Sequence, residues 1–275
     1  GRPGDGVPRS RRRCPGSSRA ALMHYLETLR FAPDGKNGNW RDTYWEALAG
    51  TLQPLMSNWG FELVGTWQTP IGGGNGNEFT VLWSVADDAS WAAYTRATSG
   101  LSSDSALRRW REVATRYVEQ SFGRLLLESP GHQVTILGRH AAGEDTGVVH
   151  RDRPWLYEME FTEFRADGRD GHWREDYWPE FRERLYPTLV RLGVDLVGAW
   201  ETAPGSGLAD ECVFLYRTHD FASWQGFIDS IGGSTKDPVL RARRGEMWVW
   251  REQWYSKMMI PSAGHAGSSL RRELE

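Results

Sequence analysis

Polar and apolar positions along this chain trace one pattern twice. Alternation predicts strands over residues 22–31 and 155–164, the second with aromatic and apolar residues interleaved with polar ones. Asp34-Gly35 then supplies a turn. Tyr44, Leu48, Leu52 and Leu55 fall at helical spacing, as do Tyr177, Phe181, Leu185 and Leu189. Gly60 and Gly193 stop these helices in the manner of a C-terminal cap. Strands follow over 61–69 and 194–202, then Gly-rich hairpin loops, then strands over 78–85 and 211–218. Asp87 and Asp220 stand where an N-cap belongs, ahead of helices bearing Trp91 and Trp224. A broken helical region runs to about Gln120 and about Gln253. Short closing strands are predicted near 125–127 and 258–260.

The two passes are related by a constant shift of 133 residues. Trp40-Arg41 and Tyr44-Trp45 recur as Trp173-Arg174 and Tyr177-Trp178. Leu63-Val64-Gly65 and Trp67 recur as Leu196-Val197-Gly198 and Trp200, and Glu78 and Ser90-Trp91 as Glu211 and Ser223-Trp224. No gap interrupts the match from Glu27 to Trp91. The chain is therefore a tandem duplication. Each copy spells β-α-β-β-α-β, the ferredoxin-like arrangement of a four-stranded antiparallel sheet with helices on one face. The fold class is α+β. The bare face of each sheet needs a cover, and the second copy supplies it, so the two sheets are expected to face each other as an α/β-barrel pseudo-dimer.

Composition sets the boundaries. Residues 1–20 carry six Arg and one Asp, so the net charge of −3 hides a basic segment and a body near −8. A body so charged is a poor holder of phosphate backbones, and no nucleic-acid partner is expected. No apolar run approaches the ~20 residues of a membrane span, so no membrane partner is expected either. Residues 1–21 read as a disordered basic tail, 130–154 as a linker and 261–275 as a second disordered tail. These flank repeats at 22–129 and 155–260. Cys14 and Cys212 make no disulfide framework. The expected location is cytoplasmic.

The run Gly60-Phe61-Glu62-Leu63-Val64-Gly65-Thr66-Trp67, then Ile71-Gly72, then Asn77 to Trp83, resembles the NIPSNAP family of the dimeric α/β-barrel superfamily. The second copy keeps Leu196 to Trp200 and Glu211, but has Tyr216 in place of Trp83 and Pro204-Gly205 in place of the Ile-Gly pair. The resemblance implies the barrel. It carries over no catalytic motif, and its superfamily spans cofactor-free monooxygenases, isomerases, cyclases and haem enzymes.

Fifteen Trp in 275 residues is the most unusual signal. Trp40, Tyr44, Trp67 and Trp83 in the first copy, and Trp155, Tyr157, Trp173, Tyr177, Trp200 and Tyr216 in the second, are candidates to line a pocket for a flat apolar ligand. The same rings also suit a core and a pseudo-dimer seam. Trp59, Trp110, Trp248 and Trp250 read as surface candidates. Glu27 and Glu160 stand inside apolar strands, where a carboxyl gains a raised pKa and can move protons; pairing with Arg41 or Arg174 is the structural alternative. His219 is expected to join Glu160 in one aromatic pocket of the second repeat. Glu78 and Glu211, at strand starts, read as solvated, and residues 241–254 as an amphipathic helix with a solvated Arg face. The seven His show no metal-ligand spacing, and haem has only His172 or His219 as speculative ligands. No cofactor and no metal are expected. The reading is a bacterial-type tailoring enzyme acting on a small hydrophobic metabolite by cofactor-independent acid–base chemistry: isomerisation, cyclisation or oxygenation. A non-catalytic binding or scaffold protein is the alternative, and a haem enzyme the third. A further homodimer of the whole chain stays open.

Overall fold

The computed structural model describes residues 23–32, 40–70, 77–99, 104–146, 156–164, 173–208, 210–231, 238, 241–242 and 249–270. The expected basic segment at 1–21, the hairpin glycines 72–76, Trp155, His172 and Trp248 lie outside them. In the first repeat β1 (Met23–Phe31), β2 (Phe61–Gln68), β3 (Glu78–Val85) and β4 (Val118–Glu128) form the sheet. Their counterparts are β5 (Leu156–Phe164), β6 (Asp195–Thr202), β7 (Glu211–Thr218) and β8 (Arg251–Pro261). The eight strands close into one antiparallel barrel in the order β1-β3-β2-β8-β5-β7-β6-β4. Within each half this is the ferredoxin-like order, and the two sheets face each other across the barrel as the duplication requires. Closure rests on two short seams, β2 with β8 at Trp67 and Gln68, and β4 with β6 at residues 126–128.

Helices α1 (Trp40–Ala47) and α2 (Gln53–Asn58), α3 (Asp88–Thr98) and α4 (Ser105–Tyr117) cover the outer face of the first sheet. After α5 (Ile136–Ala141), helices α6 (Trp173–Glu180), α7 (Tyr186–Arg191) and α8 (Phe221–Ile231) do the same for the second. The first helix of each repeat is not continuous. A wide π turn, Leu48–Leu52 or Phe181–Leu185, precedes a proline, Pro54 or Pro187. Proline has no N–H to donate back along the helix, and the turn widens around the missing bond.

Strand parity sorts the side chains into three cores. Met23, Tyr25, Leu29 and Phe31 face the first helix layer with Phe79 and Trp83; Phe164, Phe214 and Tyr216 face the second with Trp173, Tyr177 and Phe181. Leu26, Trp67, Met159, Phe161 and Trp200 fill the barrel interior. Trp67 and Trp83 therefore lie on opposite faces of the sheet. The cause is a bulge between Leu63 and Gly65, repeated between Leu196 and Gly198, which turns the rest of each strand over. The glycine also makes room. A Cβ at Gly65 would overlap the Trp67 ring, and one at Gly198 the Trp200 ring. The repeated Leu-Val-Gly-x-Trp run is the signature of this fold-back.

Three expectations need correction. The closing strands are eleven residues long, not short. Their first halves are exposed and pair on one side only, with β1 or with β5, so no alternation marks them in the sequence. Arg251 to Trp254 accordingly lies in β8 and not in a helix. The linker and second tail are partly core: Ile136, Leu137 and Leu270 are buried in the barrel cluster, and Ser268 is fully buried. Finally, Trp110 is buried against Tyr44, not at the surface.

Candidate functional site

Glu27 and Glu160 both point to the helix side of their sheets, but into different company. In the first repeat the Tyr94 hydroxyl donates to Tyr25 (3.1 Å), the Tyr25 hydroxyl donates to Glu27 (3.4 Å), and the Trp83 indole N–H donates to the other carboxylate oxygen (3.2 Å). Among the described residues no cation is a partner of Glu27 itself, and the Arg111 charge acts only on Tyr94 at the far end of the set. Burial raises the Glu27 pKa, and the two donated bonds only partly offset it. Burial and the nearby Glu27 also push the Tyr25, Tyr44 and Tyr94 hydroxyls upward, so the phenols stay protonated. Helix α3, which carries Trp91 and Tyr94, has no fully buried residue, and Glu27 is itself half-buried.

The same places in the second repeat hold Glu158 for Tyr25, Tyr216 for Trp83, Phe227 for Tyr94 and Arg251 for Val118. Glu160 accepts from Arg251 (3.1 Å) and from the Thr162 hydroxyl (2.8 Å). Glu158 accepts from the Trp224 indole (3.1 Å), and burial, with the neighbouring Glu160 charge, raises its pKa. Neither Arg41 nor Arg174 takes the role considered for it: Arg41 donates to Asn77, and Arg174 pairs with Glu201 and Asp210. Trp173 and Tyr177 pack around Phe164 beneath α6.

His219 does not meet Glu160. Glu160 stands opposite Phe214 in the β5–β7 ladder, five residues from His219, which is about 16 Å along a strand. Tyr157 stands opposite Arg217 and faces the barrel interior, not the helix layer. Trp200 and Trp67 are interior as well. Tyr44, Tyr216 and Trp83 stay on the helix side, and Trp40 opens α1.

One end of the barrel interior is sealed by a feature that sequence reading passed over. Ser129-Pro130-Gly131-His132 recurs at the same shift as Ser262-Ala263-Gly264-His265. Each copy caps the opposite repeat: His132 Nδ1 lies 3.0 Å from the Ala199 carbonyl, and His265 Nδ1 lies 3.1 Å from that of Thr66. His24 Nδ1 accepts from the Trp200 indole at 3.0 Å, and the His24 and His132 rings lie 5.8 Å apart. Burial lowers the His24 pKa well below its ordinary value, helped by His132, and takes His132 down to about 4.

Elsewhere on the barrel, a cleft of about 570 Å³ opens where the repeats meet. Two ion pairs cross it between repeats: Arg124 with Glu211 at 2.7 Å and Lys257 with Glu78 at 2.5 Å. Arg124 and Lys257 are related by the 133-residue shift, as are the two glutamates. The cleft therefore straddles the pseudo-twofold axis. Glu78 and Glu211, expected to be solvated, hold the halves together. Among the described residues no group of three or more His, Cys, Asp or Glu is placed to hold a metal, and no helix is long and apolar enough to cross a membrane.

Comparison with known proteins finds no matching family model and no matching curated protein. Solved structures do match. A monooxygenase-type protein from Lactobacillus acidophilus aligns with a TM-score of 0.54 at 10% identity, over 87% of this chain and 93% of its own. An anthrone oxidase-like protein aligns at 0.54 and 8%, over 89% and 92%. Chlorite dismutase from Candidatus Nitrospira defluvii, in complex with imidazole, aligns at 0.52 and 9%, over 94% and 97%. At such identities the likeness shows the fold: two ferredoxin-like units in one α/β barrel. It extends across the whole duplication and does not single out the narrower NIPSNAP family.

Proposed function

We propose that this chain is a small-molecule enzyme whose proton-transfer chemistry takes place at Glu27, on the helix side of the first repeat. One observation carries the reading. Glu27 receives bonds from neutral donors alone, within aromatic walls, and burial there raises its pKa above the ordinary carboxyl value. Glu160 is committed to an ion pair with Arg251 at 3.1 Å. The general acid–base role moves from the second repeat, where His219 was to assist, to the first.

Tyr94 and Tyr25 form a short hydrogen-bonded line to Glu27, and Trp83 orients its second oxygen. A carboxyl so held can take a proton from an acidic carbon of a bound apolar metabolite and return it at another position. That is the elementary step of isomerisation and cyclisation, and it forms the carbanion that oxygenation of an electron-rich substrate needs. Trp91 and Tyr94 on α3, both partly exposed, supply flat contact area for such a ligand. The oxidase-like and monooxygenase-type neighbours make this chemistry the natural first choice. For a haem the helix side would have to offer an axial ligand. His24, His132 and His265 are all committed inside the barrel and do not fit that role.

The test begins with native mass spectrometry of the full chain as isolated, to identify a carried metabolite. That compound is then incubated with protein in D2O and followed for deuterium uptake. Glu27→Gln should slow uptake by ~10²–10⁴-fold, with Glu160→Gln close to wild type. Equal rates for the two variants refute the assignment, and a Soret band in the purified protein would favour the haem reading instead.

A further inference from the structure

The cleft on the pseudo-twofold axis is separate from the helix-side cluster around Glu27 and plays no part in the chemistry above. Its two cations occupy matching places, yet one is Arg124 and the other Lys257. The chain has 33 Lys and Arg together, and only Lys36, Lys236 and Lys257 are lysines. A chain that uses arginine almost everywhere keeps a lysine at the one cation buried in this cleft. An ion pair does not explain the choice, because Arg124 makes the equivalent pair with Glu211. What lysine adds is an amine that can lose its proton and attack carbon.

The surroundings suit that use. Lys257 is 9% exposed, and its Nζ donates to Glu78 and, at 3.4 Å, to Thr28 Oγ1. Among the described residues these are its polar partners, which leaves a third N–H. Burial lowers its pKa, the Arg124 charge adds to this, and Glu78 opposes it. Phe161 forms the floor, with the Arg124 guanidinium 4.9 Å and Lys257 Nζ 5.8 Å from its ring centre, and Tyr255 stacks on it at 4.7 Å. The volume lies in the ordinary range for metabolite pockets.

We propose that Lys257 is the reactive amine of a second site, which takes a small aromatic aldehyde or ketone as an imine. The ammonium passes a proton to the Glu78 carboxylate. The freed amine adds to the carbonyl carbon, and the carbonyl oxygen collects that proton to give a carbinolamine whose nitrogen still carries two protons and the positive charge. One of these two protons leaves with the hydroxyl as water while the C=N bond forms, and the other stays on the protonated imine. Ammonium and carbonyl become protonated imine and water, with no oxidant or reductant. Arg124 faces the carbonyl side and Phe161 the aromatic ring.

Benzaldehyde with cyanoborohydride reduces any such imine to a stable benzylamine, located by peptide mass spectrometry of the full chain. A lysine-containing reference peptide in the same solution sets the ordinary rate. Lys257 should label faster than the reference at pH 7, because burial lowers its pKa and leaves more of it as free amine than an exposed lysine. The midpoint of its pH profile should fall below that of the reference. Lys257→Arg, which installs the residue of the matching position, should abolish the adduct in the cleft and keep the near-ultraviolet circular dichroism. Glu27→Gln should label like wild type, which separates this site from the helix-side one. Labelling of Lys257 no faster than the peptide, with an ordinary midpoint, overturns the proposal and leaves Lys257 an ion-pair partner only.

Discussion

The two helix-side clusters around Glu27 and Glu160 began as copies and now solve the same problem in opposite ways. Each places a glutamate at the same strand position on the helix side. In the second repeat a cation, Arg251, came to neutralise Glu160, and Tyr94 of the first is matched there by Phe227. In the first repeat Val118 stands where Arg251 does, and phenols and an indole surround Glu27. A paired carboxylate stabilises its fold and holds its charge. An unpaired one costs stability and gains a movable proton. The difference shows how a duplicated scaffold can divide structural and chemical duties.

The largest expected effect removes the cation. Arg251→Leu strands a buried carboxylate, and urea unfolding should show a loss of ~3–5 kcal/mol. Val118→Leu, at the matching place, should stay within about 1.5 kcal/mol. Comparable losses would mean that the two clusters are not electrostatically distinct.

Next comes pH, and here the sealed end of the barrel makes a second comparison. His24, His132 and Trp200 form one cluster, while Tyr157, His265 and Trp67 form its counterpart. For His24 and His132 the folded pKa lies below the unfolded one, so the unfolded chain binds more protons in between. Their contribution to stability is present above about pH 6.5 and is lost as pH falls toward the folded value, about 4 for His132. The melting temperature should drop across that window. His24→Tyr, copying the other cluster, should flatten the drop. An unchanged slope would discount His24.

The smallest effects come from the glutamates themselves. Glu160→Gln weakens the bond to Arg251 and should cost ~1–3 kcal/mol. Glu27→Gln should be neutral or stabilising at pH 7 by calorimetry. Its folded pKa is raised, so the folded state holds the proton longer, and stability falls as pH rises through the unfolded carboxyl value. The advantage of the Gln variant should vanish below about pH 4. A strongly destabilised Glu27→Gln would mean that Glu27 is as structural as Glu160.

Much of the architecture was legible because duplication writes the same physics twice. The recurring Trp and the Gly60/Gly193 stops placed the strands and helices, and the unmatched sheet faces required a barrel. The candidate site was legible only in part. Glu27 and Glu160 stood out as carboxylates in apolar strands, but Arg251 lies 91 residues from Glu160 in the chain, and nothing local couples them. The face taken by Trp67 is not legible from alternation, because one bulged residue turns the strand over. The caps went unread because Ser129-x-Gly-His132 has no periodicity, although the 133-residue register, continued past Trp91, finds its copy at Ser262.

The sequence alone determined the duplication, the βαββαβ order of each unit and the need for one sheet to cover the other. Those follow from local periodicity and from a register that needs no three-dimensional contact to be seen. Tertiary structure decided which face each ring occupies, which glutamate meets a cation, and that Lys257 pairs with Glu78 across the pseudo-twofold axis. Each of those outcomes joins residues that are distant along the chain, and the energy of a buried charge depends on the partner that closure of the barrel brings to it.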